Sequence, residues 1–399
     1  WTYDDKAEAY YFHRFYDHQP DLNTSNPAVQ AEILKIMGFW IQLGVSGFRM
    51  DAVPFIISTK GPEVTKPVEQ FDMLRGFREF LQWRMGDSII LAEANVLPED
   101  DLQYFGDDGD RMQMMFNFQV NQALFYALAS ADTRPLKKAM KATKPRPATA
   151  QWGLFLRNHD ELDLGRLTEK ERQAVFAAFG PDKDMQLYDR GIRRRLAPML
   201  GGDRQRIEMA YSLMFALPGT PVIRYGMGDD LSLPERECAR TPMQWSTEPQ
   251  GGFSKNAKPV SPVISEGPYG YQYVNVADQR RDPNSMLNWT ERLIRMRKEA
   301  PEIGWGDFTL LDTGDDGVLA IRYDWRGNAV VILHNLHSRP IEFTFDPDIG
   351  DDGRQLIDIA DGASSQADEK GRHTAVLDAY GYRWYRAGGL DYLLKRREI

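Results

Sequence analysis

Cysteine is almost absent: Cys238 is the only one in 399 residues, so no disulfide can form within the chain. A lone thiol fits a reducing compartment, and a cytoplasmic location is the expectation. Long apolar runs are missing as well. The longest, Met209 to Ile223, is broken by Pro218, Gly219 and Pro221 and is too short to span a bilayer. No basic-then-apolar targeting pattern follows Trp1. Basic charge is not in excess, since the formal net charge is −9. That balance argues against nucleic acid or an anionic membrane as the main partner. Histidine is scarce, at 6 residues, and no CxxC or HxxxH pair offers a zinc site. What remains is ordinary globular material, 42% hydrophobic and 12% aromatic, in a chain long enough for two or three domains.

Up to about residue 300, short apolar runs alternate with helical periodicity. Pro27 to Leu43 carries apolar residues at helical spacing, with Asn26 as N-cap and Pro27 at the first helical position. Gly47–Asp51 then reads as a strand, Val68–Met85 as a helix and Ser88–Ala92 as a second strand. Met112–Val120 reads as a strand entering a helix, and Trp152–Leu156 as a strand. Arg206–Leu217 is a helix, followed by a strand over Thr220–Tyr225. Such alternation predicts an α/β fold with a parallel sheet and helices outside it. Residues 227–283 form a long irregular excursion, of the kind that usually serves function. Beyond the helix Ser285–Ala300 the period changes to two, over Val318–Asp324, Ala329–Leu336, Ile341–Phe345, Gln355–Ile359, Thr374–Leu377 and Tyr382–Arg386. This predicts a C-terminal antiparallel β domain, a sandwich, over 305–399, after an α/β domain over 1–304.

Chemistry-bearing residues gather at strand ends. In "GFRMDAVP", Gly47, Arg49 and Asp51 share one face of a strand and Phe48 and Met50 the other. "IILAEA" ends in Glu93 on the face of Ile89 and Leu91, and "GLFLRNHD" ends in His159 and Asp160. In parallel α/β folds sites form at the C-terminal ends of strands. Two carboxyls about 5–5.5 Å apart suit a retaining glycosidase, one as nucleophile and one as acid/base. Asp51, beside the cation of Arg49, suits the ionised nucleophile. Glu93, among Leu91, Ala92 and Ala94, suits the acid. Each feature alone has a plain reading: Arg49–Asp51 as a structural ion pair, Glu93 as a surface acid, His159–Asp160 as half of a metal site. Three acids ending three successive strands make a stronger pattern than any one of them.

"GFRMDAVP", "ILAEAN" and "FLRNHDEL" resemble the second, third and fourth signature regions of glycoside hydrolase family 13, the α-amylase family, and "HQPDLN" (18–23) resembles its extra upstream region. The resemblance implies a (β/α)8 barrel followed by a β domain. It implies Asp51 as nucleophile, Glu93 as general acid/base, Asp160 as the carboxylate that holds sugar hydroxyls, and Arg49 and His159 as partners of nucleophile and substrate. "YYFHRFYDHQPDLN", "AQWGLFLRNHDEL", "GIRRRLAPML" and "RTPMQW" are similar to the trehalose synthase branch, which converts maltose to trehalose. Maltose, trehalose or other α-glucosides are then the expected substrates, with hydrolysis of the α-glucosidase or α-amylase kind as the alternative. The plain reading of "GIRRRLAPML" is a basic helix with Arg193–Arg195 on a solvated face. No cofactor is needed for such chemistry. The resemblance leaves room for a structural calcium ion with Asp21 as a ligand, against a plain turn aspartate.

Two departures from the family pattern stand out. Its first signature region is absent, so the match covers barrel strands four to eight and predicts a C-terminal fragment of a longer protein. Gly47–Asp51 would then be an exposed apolar edge, because five strands do not close an eight-stranded barrel. After Thr220–Tyr225, Gly226 runs straight into Met227-Gly228-Asp229, about four residues short of the family pattern. Both departures motivate a reading of another class, a truncated carbohydrate-binding remnant without activity. Nothing in the sequence speaks to oligomeric state.

Overall fold

Residues 1–388 are described by the computed structural model, so residues 389–399 of the expected C-terminal β domain lie outside the described residues. Two units are distinguished, Trp1–Phe116 with Pro145–Trp152, and Asn117–Lys144 with the chain from Gly153 onward.

The first unit opens with a hairpin, β1 (Thr2–Asp4) and β2 (Ala9–Tyr11). Helix α1 (Pro27–Gln42) begins where Asn26 accepts a hydrogen bond from the Ala28 N–H and Pro27 supplies a preset φ. Strand β3 (Gly47–Met50) follows, then the short α2 (Val53–Ile57), α3 (Phe71–Gln82), β4 (Ile89–Ala92), α4 (Pro98–Phe105) and β5 (Met114–Phe116). β3 pairs in parallel with β4, and β4 with β5. Strand β6 (Gln151–Leu154) is divided between the units, and in the first its Gln151 N–H donates to Gln113 O, just ahead of β5. The unit's core holds Met73, Leu74, Phe77, Leu81, Ile90 and Met115. Among the described strands β3 pairs with β4 alone. Phe48 and Met50 of this strand are half-buried, so it is an edge in its hydrogen bonding but not the exposed apolar edge expected; the exposed apolar groups are Ile36, Phe39, Trp40 and Leu43 of α1 and its end, and Ile89 of β4.

The second unit begins with α5 (Phe118–Ser130) and α6 (Arg134–Ala142). The Gly153–Leu154 half of β6 pairs in parallel with β10 (Thr220–Pro221). Between them lie β7 (Leu162–Asp163), α7 (Glu169–Phe179), β8 (Gln186–Leu187), β9 (Gly191–Ile192), α8 (Leu196–Met199) and α9 (Arg204–Ala216). The expected strand Thr220–Tyr225 is short: after Pro221 only the Val222 N–H reaches Leu154 O, and the chain then leaves the ladder. The excursion that follows carries α10 (Val276–Arg281) and leads to α11 (Met286–Glu299) and α12 (Glu302–Trp305). The parallel strands with their helices resemble part of a (β/α)8 barrel.

The C-terminal strands are β11 (Asp307–Leu310), β12 (Val318–Trp325), β13 (Asn328–Asn335), β14 (Ile341–Phe345), β15 (Gln355–Asp358), β16 (Ser364–Gln366), β17 (His373–Leu377) and β18 (Tyr382–Ala387). Six of them form one sheet in the order β11-β12-β13-β18-β15-β16, and β14 pairs with β17 in a second. Alternate residues of the two sheets meet in a core of Val318, Ala320, Val331, Leu333, Phe343, Phe345, Leu356 and Leu377, as in a sandwich.

This sandwich is fastened to α9 by polar as well as apolar contacts. The Tyr323 hydroxyl donates to Ala216 O at 2.7 Å. Ser212 Oγ, 3.0 Å from His334 Nε2, accepts from Trp384 Nε1 at 2.9 Å. Burial holds His334 neutral and pushes its imidazole down to about 3, while the unfolded chain binds that proton near 6.5. The folded form is therefore favoured above pH 6.5, and that stability is lost as pH falls from 6.5 towards 3. The expected loss is about 1.4 kcal/mol per pH unit within that window. Urea melts at pH 7, 6 and 5 should show a steeper pH slope for the unchanged chain than for His334→Gln, and equal slopes would refute a buried neutral imidazole.

Candidate active site

In the first unit the ends of β3 and β4 are clipped together by main-chain hydrogen bonds. The Glu93 N–H donates to Met50 O at 2.9 Å, and the Val53 N–H donates to Glu93 O at 3.0 Å. Position 47 must be glycine for this register, since a Cβ there would stand 2.4 Å from Ile89 O. Directly after Asp51 the chain turns through Ala52, which holds a left-handed φ of 46° without being glycine. Such a conformation costs of order 1 kcal/mol or more and is found where the surroundings over-determine it.

These constraints bring Arg49, Asp51 and Glu93 together. Arg49 Nη2 lies 2.9 Å from Asp51 Oδ1 and also contacts Glu93 Oε2. One guanidinium thus counter-charges both carboxyls. Their surroundings differ: the Asp51 side chain is 70% exposed and that of Glu93 only 19%. As an exposed ion pair, Arg49–Asp51 contributes about 0–1 kcal/mol to stability, too little to explain a strained turn built behind it. Phe48 and Met50, on the other face, are half-buried.

In the second unit, His159 and Asp160 follow β6 in the loop that leads to β7. Arg157 is buried and holds this loop by donating to Asp160 O at 2.7 Å and Arg194 O at 2.8 Å. Burial pushes its guanidinium down to about 9. The Asp160 carboxylate meets three cationic or potentially cationic groups. Arg240 Nη2 lies at 2.7 Å and Arg236 Nη1 at 3.2 Å from Oδ1, with His159 Nε2 3.5 Å from Oδ2. Arg236 also pairs with Glu161 at 2.7 Å, and Arg240 Nε donates to His159 O at 2.9 Å. Arg236 and Arg240 belong to the irregular excursion and were not expected at the site. The available signal was the adjacent pair Asp160-Glu161, two acids in succession that need cations from somewhere.

The "GIRRRLAPML" stretch is not a helix with a solvated basic face. Arg193 and Arg195 are buried, on extended backbone between β9 and α8. Arg193 donates to the carbonyls of Leu231 at 2.9 Å, Leu233 at 2.7 Å and Glu235 at 3.2 Å. Arg194 pairs with Asp229 at 3.2 Å. The triple arginine therefore stitches the start of the excursion in place, immediately ahead of Arg236 and Arg240.

Asp21 lies apart from these groups. Its carboxylate accepts from the Arg14 N–H at 3.2 Å and has Lys60 Nζ at 3.9 Å. Among the described residues no cluster of three or more His, Cys, Asp or Glu could hold a metal ion. Among the described residues, no helix is long and apolar enough to cross a membrane.

The family profile of the alpha amylase catalytic domain matches residues 1–178 and 192–306, and that of the sucrose hydrolase-like C-terminal domain matches residues 327–386. Trehalose synthase of Thermus thermophilus is 43% identical over 344 residues, which is 84% of this chain but 36% of that protein. Trehalose synthase of Pimelobacter sp. (strain R48) is 36% identical over 406 residues, 97% of this chain and 70% of its own length. The chain thus spans about a third of the first relative and more than two thirds of the second. Among solved structures, an alpha-amylase from H. orenii superposes with a TM-score of 0.67 at 22% identity, covering 94% of this chain and 67% of that one.

Proposed function

The chain belongs to the α-amylase family, glycoside hydrolase family 13, and from that premise we propose that it acts on α-glucosides by a retaining double displacement of the trehalose synthase kind. In this reading Asp51 attacks the anomeric carbon as Glu93 gives its proton to the departing glycosidic oxygen, leaving a glucosyl-aspartate. Glu93, now a base, takes a proton from the incoming hydroxyl, which displaces Asp51 and restores both groups. Asp160, with His159, orients sugar hydroxyls, and Arg49 positions Asp51 through their ion pair. The observation that carries the reading is the backbone clip between β3 and β4, which sets two strand-end carboxyls around one guanidinium.

Whether the acceptor is water or the released glucose separates a hydrolase from an isomerase, and exclusion of water decides it. Similarity to trehalose synthases favours glucose as the acceptor and maltose as the substrate. The full-length protein incubated with maltose and followed by NMR should produce trehalose. Glucose without trehalose would replace the isomerase by a hydrolase, and no product at all would favour a non-catalytic remnant.

A further inference from the structure

A cavity of about 760 Å³ lies in the second unit between α9, the chain after β10, and α11. Its lining includes neither His159 nor Asp160. On its wall two guanidiniums converge on one carbonyl: Arg195 Nη1 donates to Ala239 O at 3.0 Å and Arg224 Nη2 to the same oxygen at 3.1 Å. Arg195 is 3% exposed and sits on further carbonyls, those of Tyr225 and Gly226. Neither guanidinium has a carboxylate within ion-pair distance among the described residues, and the buried Nε of each has no hydrogen-bond partner. Burial first, and then the neighbouring Arg224, push Arg195 down to about 10. Two like charges are thus held side by side, with Asp229 and Asp160 acting on them only from beyond ion-pair distance, and an anion entering the cavity would relieve their repulsion.

The rest of the lining narrows the class of anion. Arg280, exposed at the cavity, has no ion pair among the described residues, whereas Arg204 is paired with Glu208 and Glu291 with Arg295. Gln244 and Asn288 use their amide N–H groups on backbone carbonyls. Their side-chain oxygens remain as acceptors for hydroxyl groups. Tyr211, Tyr225 and Tyr269 present ring surface, and Arg224 lies 4.8 Å from the centroid of the Tyr225 ring. Aromatic faces, hydroxyl acceptors and a cationic wall together match a sugar ring that carries a phosphoryl group.

We propose that this cavity binds a phosphorylated sugar, its phosphoryl group facing Arg195 and Arg224 and its ring among the tyrosines. The site is lined by other residues than the strand-end acids, although Arg224 feels the charge of Asp160. Calorimetric titration of the full-length protein with glucose 6-phosphate should show saturable binding, and glucose should show none. Arg224→Gln should weaken that binding by at least about tenfold, as loss of one charge-assisted contact does. Arg280→Gln, at an exposed position, should weaken it measurably, and Leu287→Trp, which adds bulk to the cavity lining, should abolish it. Absence of saturable binding would overturn the proposal. So would affinity unchanged in all three variants, or inorganic phosphate binding as tightly as the sugar phosphate.

Discussion

Asp51→Asn in the full-length protein should lower turnover of maltose by about 10⁴-fold or more, with an unchanged melting profile. The amide is isosteric and cannot form a stable ester with an anomeric carbon, so the first displacement fails. Stability should hardly respond, because the side chain is 70% exposed and its ion pair with Arg49 lies at the surface. Trapping with a slow fluoro-sugar and mass spectrometry of the peptides provides the direct readout. The glucosyl adduct should sit on the peptide that contains Asp51 and be missing from the variant. Activity within a few-fold of the parent, or an adduct on another carboxylate, would refute the assignment.

Glu93→Gln is the second large effect and should leave a different signature. General acid–base catalysis contributes about 10²–10⁴-fold, so turnover of maltose should fall by that factor. A substrate with a good leaving group, such as an α-glucosyl fluoride, needs no proton for departure. The first displacement should then survive in the variant while the second, which needs Glu93 as base, stalls. The glucosyl-enzyme should therefore accumulate in Glu93→Gln and not in Asp51→Asn. Equal losses on maltose and the fluoride would indicate a structural role for Glu93, which is plausible on geometry alone, since its main chain supports both Met50 and Val53.

The opposite behaviour of two acids that touch the same arginine follows from their positions. Asp51 stands on the strand end before a left-handed turn and is open to solvent, whereas Glu93 is mostly covered.

Much of the architecture was legible because it rests on short-range rules. The alternation of Phe48 and Met50 with Arg49 and Asp51 needs only the period of a strand. The strands Ile341–Phe345, Gln355–Asp358 and Tyr382–Ala387 follow the period-two runs within a residue or so. Helix α1 starts at the Asn-Pro signal. Helices α6 and α7 were passed over, and for α7 the signal was present, since Thr168 and Glu171 form a capping box. Helix α2 gave no such signal: it begins on a left-handed alanine and carries Pro54 in its first turn. The strand after Pro221 ends early although Val222 and Ile223 are apolar, and Ile223 is exposed, because an apolar run does not by itself supply hydrogen-bond partners.

The sequence by itself determined that Asp51 and Glu93 stand at the ends of two strands, that α/β alternation gives way to antiparallel strands, and the family to which these features belong. Only the tertiary structure decided how the charges are matched. Arg236 and Arg240 reach Asp160 across some eighty positions of chain, Arg193 ties the excursion down through carbonyls, and Arg195 and Arg224 converge on one carbonyl beside a cavity. Periodicity describes how a residue sits on its own element. Charge pairing depends on distance in space and on the dielectric around it, and both are set only once the loops have packed.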